Sequence, residues 1–116
     1  MTTEATVQNA VRAAAARLGV HLWRNNSGVL NDDRGVPVRF GLGNDSPRLN
    51  AVLKSSDLIG IAPDGRFVAF EIKAPGWRGP RTPRARAQEA FINLVRQNGG
   101  IAAFITTVEE MESCFR

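Results

Sequence analysis

Glu71 and Lys73 stand two residues apart in an alternating segment, Arg66 to Lys73, that reads as a β-strand. Alternate side chains of a strand share a face, so this acid and this amine are neighbours alongside Phe67 and Ala69. Val68, Phe70 and Ile72 face the other way. The preceding run, Asp57 to Ala62, is apolar and β-prone, and Pro63, Asp64 and Gly65 between the two make a three-residue hairpin loop ending in a left-handed glycine. Such a loop pairs Ala62 with Arg66 and sets Asp57 opposite Glu71. Two carboxylates facing each other across a ladder destabilise it unless one keeps a proton or a cation sits between them. Lys73 is one candidate for that cation. A hard divalent ion, Mg²⁺ or Mn²⁺, is the other, with Asp57, Glu71 and the main-chain carbonyl of Ile72 as its oxygen ligands. Such an ion acidifies water and offsets the charge that builds on a phosphate under attack, and an adjacent lysine positions the water. The implied chemistry is phosphodiester hydrolysis. The simpler alternative is an exposed Glu–Lys salt bridge on a strand face.

A basic segment follows directly. Trp77, Arg78, Arg81, Arg84 and Arg86 lie within thirteen residues of Lys73 with no acid among them. Arginine binds phosphate bidentately, and it is unfavourable at a helix N-terminus unless it has another use. The whole chain carries 15 Lys and Arg against 11 Asp and Glu, a formal net charge of +4. This favours a polyanionic partner, with nucleic acid ahead of an anionic membrane surface. Arg24, Asn25, Asn26 and Ser27 either add phosphate contacts or form a tight turn.

The elements that must hold these groups follow from periodicity and punctuation. Val7, Val11, Ala14, Ala15 and Leu18 recur at helical spacing after Thr2 and Thr3 and before Gly19, which predicts a first helix. His21 to Arg24 reads as a short strand ended by the Asn25 to Gly28 turn, Val36 to Leu42 as an edge strand around Pro37, and 43–56 as a polar loop. Beyond the hairpin, Thr82 and Pro83 cap a helix whose apolar stripe is Ala87, Phe91, Leu94 and Val95, ended by Asn98, Gly99 and Gly100. Ile101 to Thr106 reads as a buried strand and Val108 to Cys114 as a short final helix. The order is α-β-β-β-α-β-α, and the economical architecture is α/β, a mixed sheet flanked by helices. At 116 residues with 43% hydrophobic content, there is room for one domain spanning 1–116.

The ordered set Asp57, Glu71, Ile72 and Lys73 resembles the D…ExK core of the PD-(D/E)xK nuclease superfamily. More narrowly, the chain resembles a stand-alone virus-type replication-repair nuclease (VRR-Nuc) domain. The resemblance runs from Glu4 through the Arg24 to Gly28 turn, the Ser56 to Gly60 run and the Glu71 to Lys73 run to Gln88 and Phe91. Ser56 departs from it, since the family usually places a turn residue such as proline before the core aspartate. The resemblance implies a restriction-endonuclease-like core and a Mg²⁺- or Mn²⁺-dependent endonuclease acting on DNA. It further implies that Glu4 helps hold metal and that Gln88 stands against the catalytic lysine or the substrate. Stand-alone members resemble Holliday junction resolvases of DNA repair and work as homodimers, so branched DNA is the expected substrate. For Glu4 the competing reading is an acid favouring the positive end of a helix. For Gln88 it is a good helix former at a half-exposed position.

One cysteine, Cys114, and one histidine, His21, exclude an intramolecular disulfide and a Cys/His zinc site. The expected compartment is the reducing cytoplasm of a bacterial or phage-infected cell, with no membrane partner and no organic cofactor. Two other readings remain: an inactive DNA-binding accessory module of the same fold, and an RNA-binding domain. The second has little support, because there is no Tyr and only Phe67 lies on the site face.

Overall fold

The computed structural model describes residues 2–116. Helix α1 (Glu4–Arg17) starts where the Thr3 hydroxyl accepts the Thr6 amide, and it buries Val7, Val11, Ala14 and Ala15. Leu18, the last residue of the expected stripe, is exposed. Strands β1 (His21–Arg24), β2 (Gly28–Asn31) and β3 (Pro37–Phe40) follow, then the short helix α2 (Pro47–Val52). Next come β4 (Leu58–Ile61), β5 (Phe67–Ile72), α3 (Pro83–Gln97), β6 (Ile101–Ile105) and α4 (Val108–Ser113).

Strands β1, β4, β5 and β6 lie side by side in that order, antiparallel from β1 to β5 and parallel between β5 and β6. The fold is thus α/β with a mixed sheet and helices on both faces. On one face Leu58, Val68, Phe70 and Ile72 pack with Val7 and Val11 of α1 and Met111 of α4. On the other, Ala69 and Ala102 pack with Phe91, Ile92 and Val95 of α3. Ile92 joins this cluster, whereas Leu94, expected in the stripe, is 43% exposed. Burial of such side chains from water contributes most of what holds the layers together.

Two elements were not expected. β2 pairs with β3 in a separate two-stranded sheet, tied off by Asp32, whose carboxylate accepts the amides of Arg34 and Val36. Helix α2 interrupts the segment read as loop, and it is opened by the Ser46 hydroxyl accepting the Leu49 amide with Pro47 in the first turn. The observed order is therefore α-β-β-β-α-β-β-α-β-α rather than α-β-β-β-α-β-α. Gly60 is required where β1 crosses close to β4, because a Cβ there would lie 1.8 Å from the His21 carbonyl oxygen. Among the described residues, no helix is long and apolar enough to cross a membrane.

Candidate active site

The hairpin loop forms as its sequence predicts: the Ala62 amide donates to Arg66 O at 3.0 Å, and Gly65 has φ +89°. Leu58 then pairs with Phe70, and the register carries Asp57 opposite Glu71 one step beyond the last rung. There the Asp57 carboxylate accepts the Ile72 amide at 2.9 Å, so it closes the open end of the ladder. The amide and carbonyl of one strand residue point to the same edge, so the Ile72 carbonyl is also directed toward Asp57.

Glu71 sits on the sheet face covered by α3 and is only 4% exposed. Burial, a hydrogen bond with Asp57 and the Asp57 charge push its pKa up to about 9, against the smaller opposing pull of Lys73 and Arg84. Burial beside Asp57 therefore favours the protonated form of Glu71 at neutral pH. Lys73 does not pair with Glu71: among the described residues the ion pairs are Arg34–Asp32, Arg66–Asp64 and Arg86–Glu89. The exposed Glu71–Lys73 salt bridge weighed above is thereby excluded. Instead the Lys73 ammonium donates to Gln88 Oε1 at 3.0 Å and lies 5.6 Å from the Trp77 ring centroid. Trp77 is itself set by Phe104, with ring centroids 4.5 Å apart. Gln88 is buried on α3, so its amide serves as a fixed acceptor for the lysine.

A cavity of about 380 Å³ opens over the acids. Asp57, Glu71 and Gln88 line it together with Asn25, Asn26 and Ser27 of the β1–β2 turn. The Asn25 side-chain amide donates to Ser55 Oγ at 2.7 Å and Ser56 O at 2.9 Å, and its backbone amide donates to Asp57 O at 2.8 Å. It positions the segment leading into Asp57 and spends its donors there. Arg78, Arg81 and Arg84 line a second cavity of about 250 Å³ beside Lys73 and Trp77. Arg24 and Arg86 are exposed and line neither cavity, and Arg86 approaches Glu89 at 4.0 Å.

Glu4 is not brought to this group. It lies exposed in the first turn of α1, does not line the cavity, and among the described residues no third acid, histidine or cysteine joins Asp57 and Glu71. Neither His21, which stacks on Trp23, nor Cys114 lines the cavity. Sequence reasoning missed Arg39, Asn50 and Lys54 on the cavity wall. The Ser46–Pro47 pair, the same cap signal as Thr82–Pro83, pointed to the helix that carries Asn50.

The donor set fits a hard divalent ion, being all oxygen: two carboxylates and a carbonyl. The cost of burying Glu71 beside Asp57 is one that a cation between them would remove. Compared with known proteins, the chain matches no family model, and no curated protein is significantly similar to it in sequence.

Proposed function

We propose that this chain is a metal-dependent endonuclease that hydrolyses DNA phosphodiester bonds, with a restriction-endonuclease-like core similar to stand-alone VRR-Nuc domains of the PD-(D/E)xK superfamily. The observation that carries the reading is an acid pair, the half-buried Asp57 beside the buried Glu71, with Lys73 on the same strand face and held by a buried amide. An acid pair so placed is costly to folding when both groups ionise, and such cost is concentrated where chemistry needs it.

Asp57, Glu71 and the Ile72 carbonyl would hold Mg²⁺ or Mn²⁺. When bound, the ion offsets the charge developing on the phosphate and acidifies water. Lys73 gives one of its three protons to Gln88, and the others are free to orient water and a phosphate oxygen. Arg78, Arg81 and Arg84 beside Lys73 hold the DNA backbone, joined by Asn26 and Ser27 on the other side of the acids. With no base-reading motif, selection rests on backbone and shape, which suits a Holliday junction or other branched DNA. Two copies of the chain, acting in the cytoplasm of a bacterial or phage-infected cell, would address two opposed strands.

The test is incubation of labelled four-way junction and linear duplex with Mg²⁺, Mn²⁺ or EDTA, using wild type, Glu71→Gln and Lys73→Met. Cutting by wild type alone, stopped by EDTA, is the expected result. Equal cutting by all three proteins, or binding without cutting by wild type, overturns the catalytic assignment, and the latter result leaves an accessory DNA-binding module.

A further inference from the structure

Three cations line the same cavity as the acid pair. Arg39 from β3, Lys54 from the segment after α2 and Arg84 from the first turn of α3 all line it, brought from three separate elements. Among the described residues none of the three makes an ion pair. Their side-chain partners are neutral: Arg39 Nε donates to Asn44 O at 3.1 Å, and the Lys54 ammonium donates to Asn50 Oδ1. Of the three, only Arg84 is among the charges that act on Glu71.

Arg39 and Lys54 are also held in place. The Lys54 amide donates to Ala87 O at 3.0 Å, which fastens it to α3. Arg39 rests on Asn44, a buried side chain whose amide donates to Gly28 O at 3.0 Å and Phe40 O at 2.9 Å. Burial first, and then the charges of Arg84 and Arg39, hold the Lys54 ammonium below its ordinary range. Like charges gathered without an ion-pair partner repel one another, and an anion with several acceptor oxygens relieves them.

We infer that Arg39, Lys54 and Arg84 form a phosphate subsite that seats a backbone phosphodiester of DNA next to the one positioned at Asp57 and Glu71. This rests on the reading of the acid pair as the cleaving centre, and it adds the clamp that decides where along the strand that centre acts. Arg39 and Lys54 are its new members. A guanidinium keeps most of its five donors after bonding Asn44, which suits bidentate capture of phosphate oxygens.

The experiment measures binding of a fluorescein-labelled DNA duplex by anisotropy in EDTA, over about 50 to 200 mM NaCl. It compares wild type with Lys54→Met, Lys54→Arg, Arg39→Gln and Arg34→Ala, the last removing an exposed charge at the far tip of the β2–β3 hairpin. Losing one phosphate contact reduces the slope of log K against log salt by about 0.9. Lys54→Met and Arg39→Gln are expected to show that reduction, whereas Lys54→Arg and Arg34→Ala keep the wild-type slope. Unchanged slopes in Lys54→Met and Arg39→Gln, or an equal reduction in Arg34→Ala, overturn the subsite, as does absence of wild-type binding. If Arg39→Gln fails to give a native circular dichroism melt, the two Lys54 variants decide. Because EDTA prevents cutting, reduced slopes in a protein that never cuts would retain the subsite and remove the nuclease. Unchanged slopes in a protein that cuts would do the reverse.

Discussion

Replacing Glu71 with Gln is expected to make the protein more stable at neutral pH while ending its activity. The Glu71 pKa is raised from 4.5 to about 9 in the fold, chiefly by burial. Below the lower value both folded and unfolded chains hold the proton, and no penalty arises. As the pH rises above it, the unfolded chain releases its proton while the folded chain keeps it, so stability falls by up to about 1.4 kcal/mol per pH unit. At pH 7 the accumulated loss is about 3 kcal/mol, and the fall continues until the folded carboxyl itself ionises. Glutamine has nearly the same shape, cannot ionise, and escapes this loss. In EDTA, the gap between Glu71→Gln and wild type in urea or thermal unfolding is therefore expected to be near zero at pH 4. It should widen to about 3 kcal/mol at pH 7, on the order of 10 °C in Tm. A gap that stays constant with pH, or a variant less stable than wild type at pH 7, would refute the claim that burial beside Asp57 holds a proton on this residue.

Further outcomes follow from other contacts. Mg²⁺ or Mn²⁺ is expected to raise the Tm of wild type more at pH 8 than at pH 5 and to leave Glu71→Gln almost unmoved, because the ion competes with the Glu71 proton. If the proposed function holds, Lys73→Met should lower the single-turnover cutting rate by about 10² or more while DNA affinity changes little, since the backbone contacts are proposed for Arg78, Arg81 and Arg84. Gly60→Ala should cost at least about 2 kcal/mol in urea denaturation, because its Cβ would overlap the His21 carbonyl. Ser56→Ala should stabilise by about 1 kcal/mol, as the Ser56 hydroxyl is buried without a hydrogen-bond partner; destabilisation would show that the hydroxyl is satisfied.

Local chemistry made part of this molecule readable. The Pro63-Asp64-Gly65 loop sets a register by itself, so the opposition of Asp57 and Glu71 could be counted out residue by residue. The Thr82–Pro83 cap located the start of α3 in the same way, and with it Gln88. Alternation placed Glu71 and Lys73 on one face but did not say that α3 would cover the acid and leave the amine partly exposed; that depends on layer packing. Helical spacing put Glu4 at the edge of a stripe, yet a stripe says nothing about how far along the sheet the helix end reaches. Helix α2 spans only six residues and buries none of them, so no period betrays it. Arg39 and Lys54 meet Arg84 through tertiary structure alone, with no spacing rule to connect them. Asn25 looked like a surface turn residue because its type suits both roles, and only its partners decide between them.

The acids belong to the four-stranded sheet, whereas Arg39 hangs from the separate β2–β3 ribbon. Among the described residues no ladder bond joins the two sheets; the links are the β1–β2 turn, the 41–46 segment into α2, which packs on α3, and contacts such as the Leu42 amide donating to Asn25 Oδ1 at 3.3 Å. The rungs beneath the carboxylates therefore share no hydrogen bond with the ribbon that carries Arg39. On the proposed reading, Arg39 would grip a strand from one sheet while the groups that would cut it are held by another.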